Sequence, residues 1–394
     1  MRILKFAIPA VVIVFIAAVA YFFVHNTPEG VLVATGLAEP QQALFKNTEA
    51  YFAQPEADFS LYPPKATVVR GVYVSATHAG MDTYLDPLLE LCRQTEINAM
   101  VIDVKTDDGT VTFKGIPAAD SIGMSSPYIG DIGALMEKLS ENGVYPIARV
   151  VAFKDNGANE AHPDLYIKNT DGSLWRDNSS QKSTWLNPYN KASWDYVLDI
   201  AKGAAQAGFK EIQFDYIRFD TSSRLNGADF GDTEGKSRTD IITEFTKYAA
   251  EALHEYGVFV AADVYGTIIE SKIDSDIVGQ NYVEMSRYLD YICPMVYPSH
   301  YADGSFGVTY PDLDPYAIIK NSMDGSNKVL ADTENHAIVR PWIQGFTASW
   351  LRHYIPYGDN ELRTQEKAVY DAGLTEWLVW NPSSRYSAGA YEPR

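Results

Sequence analysis

From Val68 onward the chain alternates between two hydrophobic periods. Short apolar runs rich in β-branched residues recur at 69–75, 99–105, 145–152, 211–219, 258–264, 291–297, 341–346 and 377–380. Continuous runs of this length are what strands buried on both faces require. Between them the apolar positions fall at helical spacing. Residues 84–94 put Leu85, Leu88, Leu89 and Cys92 on one face, and 129–142 do the same with Ile132, Leu135, Met136 and Leu139. Helical spacing continues at 194–207, 241–256, 282–288 and 365–372, with Gly257 and Gly373 placed as helix stops. Eight strands alternating with helices predict an α/β chain folded as a (β/α)8 TIM barrel rather than an open sheet. No GxGxxG follows the first strand and no GxxxxGK[ST] occurs, which argues against dinucleotide and P-loop folds.

The first residues follow a different pattern. Residues 6–24 form an uncharged apolar run long enough to cross a bilayer as a helix. Arg2 and Lys5 precede it and no basic residue follows until Lys46, so the positive-inside rule leaves the N-terminus in the cytoplasm and exports the rest. Ala18-Val19-Ala20 offers a cleavage site, but Tyr21 to Val24 carry the apolar run past it, which favours a retained signal-anchor over a secreted form. The expected organisation is a cytoplasmic tip and transmembrane anchor at 1–24, an extracellular linker at 25–66, and a barrel domain at 67–394. The lipid bilayer is thus one expected partner, and the expected location is the cell membrane, single-pass.

A length of 394 residues with 46% apolar composition accommodates one large barrel and a tail. The net charge of −19 argues against nucleic acid and anionic lipid surfaces as partners of the main domain. The 26 Tyr, 17 Phe and 7 Trp supply candidate platforms for flat amphipathic ligands such as sugars, beyond those needed for the core. Cys92 and Cys293 both sit in apolar runs and read as two buried free thiols. His162, His300 and His336 form no recognisable metal spacing, and the residues call for no metal and no cofactor.

In such a barrel the site gathers at the C-terminal ends of the strands. Those ends offer Tyr73; Asp103 and Lys105; Arg149; Asp215 and Arg218; Asp263 and Tyr265; Tyr297 and His300; Gln344; and Trp380. Asp215 and Asp263, on the fourth and fifth strands, are the candidate catalytic pair. Cleaving a glycosidic bond needs one protonated carboxyl for the leaving oxygen and one ionised carboxylate to attack or to activate water. Arg149 or Arg218 would keep one ionised while burial raises the other. Asp103 and Lys105, two residues apart, suggest an ion pair on one face. Tyr297, Gln344 and Trp380 are expected to bind the sugar, and His300 to touch a substrate hydroxyl.

Two long loops flank this ring. Residues 154–190 carry the turn Asn169-Thr170-Asp171-Gly172 together with Trp175 and Trp185. They read as an ordered flap whose tryptophans either stack on ligand or pin the flap. Residues 221–239, rich in Gly, Ser and Asp, read as a lid over the mouth or a solvated insertion.

Several runs resemble a known family: RGVYVS at 70–75, WLNPYN at 185–190, GFKEIQFDYIRF at 208–219, CPMVYPSHY at 293–301, RPWIQGF at 340–346 and EWLVWNPSSRY at 376–386. Together they are similar to a bacterial family of glycoside-hydrolase-like proteins of uncharacterised function, often membrane-anchored and distantly similar to the α-amylase and α-galactosidase barrels. The resemblance implies a barrel and a carbohydrate-active role. It also implies an Asp nucleophile at the end of the fourth strand, which Asp215 matches. The acid is a Glu on strand five or an Asp on strand six in those barrels, whereas here strand five offers Asp263 and strand six offers nothing before Asp303.

The resulting expectation is an extracellular glycoside hydrolase acting on an envelope or environmental polysaccharide. The alternatives are a non-catalytic carbohydrate-binding barrel, and a metal-assisted lyase or isomerase with Asp103, Asp215 and Asp263 as oxygen ligands.

Overall fold

The computed structural model describes residues 68–394. They form one closed sheet in which every strand pairing is parallel. The strands are β1 (Arg70–Val74), β2 (Ala99–Lys105), β3 (Tyr145–Val151), β4 (Glu211–Asp215), β5 (Phe259–Tyr265), β6 (Tyr291–Met295), β7 (Ile338–Val339), β8 (Trp342–Gln344) and β9 (Trp377–Trp380). The order β5-β4-β3-β2-β1-β9-β8-β6-β7 closes through a β5–β6 pairing. Both β7 and β8 pair with β6, so they are two halves of one barrel position. Pro341, which has no N–H to give a ladder, lies at the break between them. The architecture is therefore the expected eight-position (β/α)8 barrel.

All eight expected strands are present, most with ends shifted by one or two residues and two with larger differences. The fourth ends at Asp215 rather than at 219, because Tyr216 turns into the left-handed region with φ 48°. The seventh begins earlier than expected, at Ile338.

The longer helices are α1 (Asp82–Gln94), α2 (Ile132–Glu141), α3 (Lys191–Gln206), α4 (Arg238–His254), α5 (Pro315–Leu330) and α6 (Asp359–Asp371). Helices α3 and α4 start three residues ahead of their apolar pattern, because polar first turns are held by Asn190 and by a Ser237–Asp240 capping box. Gly257 and Gly373 take positive φ just after α4 and α6, as helix stops do. Helix α5 was not anticipated by the periodicity. Its inner face mixes Ile318, Ile319 and Met323 with Ser322, Gly325 and Ser326, which interrupt the apolar stripe.

Two apolar layers hold the barrel. The larger lies between sheet and helices; the smaller fills the bore with Tyr73, Phe259, Tyr291, Trp342 and Leu378 against the small Ala99 and Ala261. The floor of the bore is ionic. Arg340 pairs there with Glu211, lies 3.7 Å from Glu376 and stacks 4.0 Å over the Tyr291 ring, with no solvent exposure. Removing one partner of such a pair costs about 3–5 kcal/mol, so this cluster constrains β4, β8 and β9 together. Cys92 and Cys293 are buried free thiols.

Beyond β9 the chain returns along the outside of the barrel to the floor. The Tyr386 hydroxyl donates to the Tyr73 carbonyl at 2.7 Å, and Tyr391 stacks on Trp377. Backbone bonds from Glu96 N to Glu392 O and from Arg394 N to Gln94 O stitch the C-terminal residues to the segment entering β2.

Among the described residues no helix is long and apolar enough to cross a membrane. The expected anchor at 6–24 and linker at 25–66 lie outside them.

Candidate active site

The mouth is organised around Arg149, at the end of β3. Its guanidinium donates from Nη1 to Asp103 Oδ1 at 2.8 Å, from Nη2 to Asp107 Oδ1 at 3.0 Å, and from Nε and Nη2 to Asp215 Oδ2 at 3.0 and 2.6 Å. One rigid fork thus holds three carboxylates from two strands and a loop, the geometry for which guanidinium is suited. Burial alone would lower the Arg149 pKa, but Asp215, Asp107 and Asp103 hold it well above its ordinary value. Trp380 lies 5.6 Å from the guanidinium, and its ring packs at 4.1 Å on Tyr73. The Tyr73 hydroxyl donates to Asp103 Oδ2 at 2.6 Å, which leaves Asp103 fully engaged.

Asp215 ends β4 and accepts its third N–H, from Tyr216 N, on Oδ1 at 2.6 Å. The positive φ of Tyr216 is uncommon for a bulky residue and ends the strand abruptly at the carboxylate. Asp263, on the adjacent strand β5, is more enclosed than Asp215, 2% exposed against 9%. Its Oδ1 accepts from Gln213 Nε2 and, at 2.6 Å, from Trp342 Nε1. Burial, with the Asp215 charge second, pushes its pKa well above the usual carboxylate range. Because Oδ1 faces two N–H donors, the proton of the neutral form belongs on Oδ2. The Tyr297 ring completes this corner: burial first, then the charges of Asp263 and Asp215, raise its hydroxyl pKa.

Seven of the expected residues therefore converge at one end of the barrel: Tyr73, Asp103, Arg149, Asp215, Asp263, Tyr297 and Trp380. Arg218 and Tyr265 form a neighbouring stack. The Arg218 guanidinium lies 4.8 Å from the Tyr216 and Tyr265 rings and 5.2 Å from Trp185, and donates to the Phe219 carbonyl. Arg149, not Arg218, is the direct partner of Asp215.

Two of the expected mouth residues, Lys105 and Gln344, face elsewhere. The Asp103–Lys105 ion pair does not form, because a register shift between these residues breaks the alternation of β2. Lys105 instead pairs with Asp155 at 2.7 Å and donates to the Val151 carbonyl, both ionic side chains having no exposure. Gln344 is also enclosed. It accepts from Ser299 N at 3.0 Å and donates to Asp312 Oδ1 at 2.9 Å and to the Phe346 carbonyl at 3.1 Å. It ties together three loops at the mouth and offers no group to a ligand. His300, on one of those loops, stands exposed at the rim, its ring 5.2 Å from Tyr297 and its Nδ1 bonded to Ser299 Oγ.

The flap over 154–190 is ordered. Gly172 N closes the expected turn on Asn169 O. Trp175 and Trp185 are each 1% exposed, so they pin the flap and present no free face. Residues 221–239 are pinned as well, by buried Leu225 and by Phe230, which packs on Tyr189 and Phe219.

Asp107 is the functional candidate that sequence reasoning missed. It lies in the Asp107-Asp108-Gly109 turn after β2 and reads as ordinary loop chemistry. Its side chain is 36% exposed, and Lys154 approaches at 3.6 Å. Although its seat in the mouth works against ionisation, Arg149 and Lys154 hold its carboxyl far below the usual range. Five carboxylates lie among the three cations at this end of the barrel: Asp103, Asp107 and Asp215 around Arg149, Asp263 beside Asp215, and Asp220 beside Arg218 and Lys154. The centre between the carboxylates is filled by the guanidinium, and among the described residues no cluster of three His, Cys, Asp or Glu is placed to hold a metal ion.

Several solved glycoside hydrolases share this architecture. The PgaB (BpsB) glycoside hydrolase domain from Bordetella bronchiseptica aligns over 82% of this chain and 99% of its own, with a TM-score of 0.58 and 15% identity. The α-galactosidase of Thermus thermophilus in complex with stachyose aligns over 84% of this chain and 65% of its own, with a TM-score of 0.51 and 15% identity. At these identities the likeness establishes the barrel alone. A hypothetical protein from Ruminiclostridium thermocellum is 41% identical over 49% of this chain and 97% of its own, with a TM-score of 0.45. No curated protein matches the sequence. Residues 71–386, from β1 through most of the returning segment, match the family described as "Putative glycosyl hydrolase domain", and the chain belongs to that family.

Proposed function

We propose that the protein is a glycoside hydrolase that cleaves a polysaccharide outside the cell, with Asp215 as the ionised carboxylate and Asp263 as the acid. The observation that carries this reading is the pair of adjacent carboxyls in opposite environments. Asp215 accepts three N–H bonds, two of them from the Arg149 guanidinium, while burial and the Asp215 charge push the Asp263 pKa well above the usual carboxylate range and so favour its protonated form. A glycosidic bond needs both states at once: a proton for the departing oxygen and negative charge for the oxocarbenium-like carbon. Tyr73, Tyr297 and Trp380 supply aromatic faces for the sugar, and Asp107 supplies an exposed hydroxyl acceptor. The apolar run at 6–24, with Arg2 and Lys5 ahead of it, supports export of the domain on a membrane anchor.

The test is reducing-end release from a panel of envelope and environmental glycans by the domain, with Asp215→Asn and Asp263→Asn alongside. Loss of at least about 1,000-fold in Asp215→Asn, with the variant shown by its unfolding curve to be folded under the assay conditions, is the expected result. Full activity in both variants would refute the assignment. The second reading is a non-catalytic carbohydrate-binding barrel, favoured by the enclosure of Asp263. Glycan binding without release across the panel would select it.

A further inference from the structure

Of the seven tryptophans, five are enclosed and two are not: Trp380, half-buried in the mouth, and Trp350, 37% exposed on the loop after β8. Leaving an indole in water forgoes the stabilisation that burial gives a large apolar side chain. The exposed ring is not isolated. Phe346 lies 5.9 Å from Trp350 with the ring planes only 20° apart, and the same Phe346 ring meets Tyr297 at 5.8 Å. A line of rings therefore runs from Tyr297, beside the two carboxyls, through half-buried Phe346 to exposed Trp350.

The line is mounted on a fixed base. Gln344 donates to the Phe346 carbonyl and to Asp312, Tyr357 donates from its hydroxyl to the Asp312 carbonyl, and Tyr357 N bonds Thr347 Oγ1. A platform held in this way loses little side-chain freedom on binding, which favours a ligand that stacks rather than one that must be wrapped.

We infer that Phe346 and Trp350 form a stacking strip for sugar rings of a polymeric, uncharged glycan, outside the point of cleavage. Flat ring faces suit the C–H faces of pyranoses, continuity with Tyr297 places the strip on the same chain that enters the mouth, and the net charge of −19 disfavours polyanionic glycans. This rests on the carbohydrate-active reading above and adds to it the preference for long over short substrates.

The experiment is affinity electrophoresis of the domain in gels cast with soluble starch, mixed-linkage β-glucan, galactomannan and xylan. Unsubstituted protein and Trp350→Ala are run beside Phe346→Leu, with hydrolysis of the same polymers and of their short oligosaccharides measured in parallel. The expected result is retardation by at least one polymer, weakened about tenfold or more in Trp350→Ala, with turnover of short oligosaccharides unchanged within twofold. Tryptophan-dependent retardation without hydrolysis by any variant would support the strip while removing the hydrolase reading. Equal retardation of Trp350→Ala and the unsubstituted protein, or no retardation by any of the polymers, would overturn the inference even if hydrolysis is found.

Discussion

Replacing Arg149 with Met keeps the reach of the side chain and removes the cation from among three carboxylates. The buried ion pairs that it breaks are those to Asp103 at 2.8 Å and to Asp215 at 2.6 Å. The third partner, Asp107, is partly exposed and keeps Lys154, so it adds little. Removing one partner of a buried pair costs about 3–5 kcal/mol. We expect that loss at pH 7 rather than a multiple of it, because a stranded carboxyl escapes by taking up a proton. Asp103, which burial already raises, loses the Arg149 charge that holds it down, and its folded pKa climbs further above the unfolded value. A carboxyl in that position contributes stability that is fully present below its unfolded pKa and lost as pH rises through its folded pKa. The deficit of Arg149→Met must therefore shrink on acidification from pH 7 to pH 5, by up to about 1.4 kcal/mol per pH unit for each proton taken up. Urea unfolding followed by tryptophan fluorescence at both values, beside the unsubstituted protein, measures it. An unchanged midpoint at pH 7, or a deficit of the same size at both values, would refute the idea that Arg149 is the counter-charge of the mouth.

Two further substitutions probe the surroundings. Trp342→Phe removes the 2.6 Å indole donor that lowers the Asp263 pKa; the alkaline limb of the activity profile should move up by about one pH unit or more, and an unmoved limb would show that Asp263 is not the acid. Lys105→Met strands Asp155 with no exposure and should cost about 3–5 kcal/mol in urea unfolding, part of which Lys105→Met/Asp155→Asn should recover; a loss below about 1 kcal/mol would mean that the pair is not a structural unit.

What the sequence disclosed and what it hid follow from range. Strands such as Ala99–Lys105 are legible because a buried parallel strand carries its own pattern in consecutive residues. Helix α5 was illegible because Ser322, Gly325 and Ser326 serve its buried face as well as apolar residues do when neighbours approach closely. Gly325 illustrates this, since a Cβ there would lie 3.1 Å from Glu270 Oε1. Asp215 and Asp263 were legible as strand-end carboxylates, yet their partners were not. Asp215 takes Arg149, 66 positions away, in place of nearby Arg218, and Arg340 finds Glu211 across 129 positions. Lys105 misled because strict alternation puts it beside Asp103, and a single bulge cancels alternation without leaving a mark in composition. Asp107 sits in a turn whose residues would be chosen for turn geometry alone.

The returning segment after β9 sets the orientation of the molecule. Since β1 rises from the floor at Arg70 and Arg394 is bonded back to Gln94 on the same floor, both ends of the barrel emerge on the side away from the carboxyls. The entry to β1 thus lies opposite the end of the barrel that carries Asp215, Asp263 and Trp350. Fusion or immobilisation at either end of the described barrel therefore starts on the side opposite the mouth.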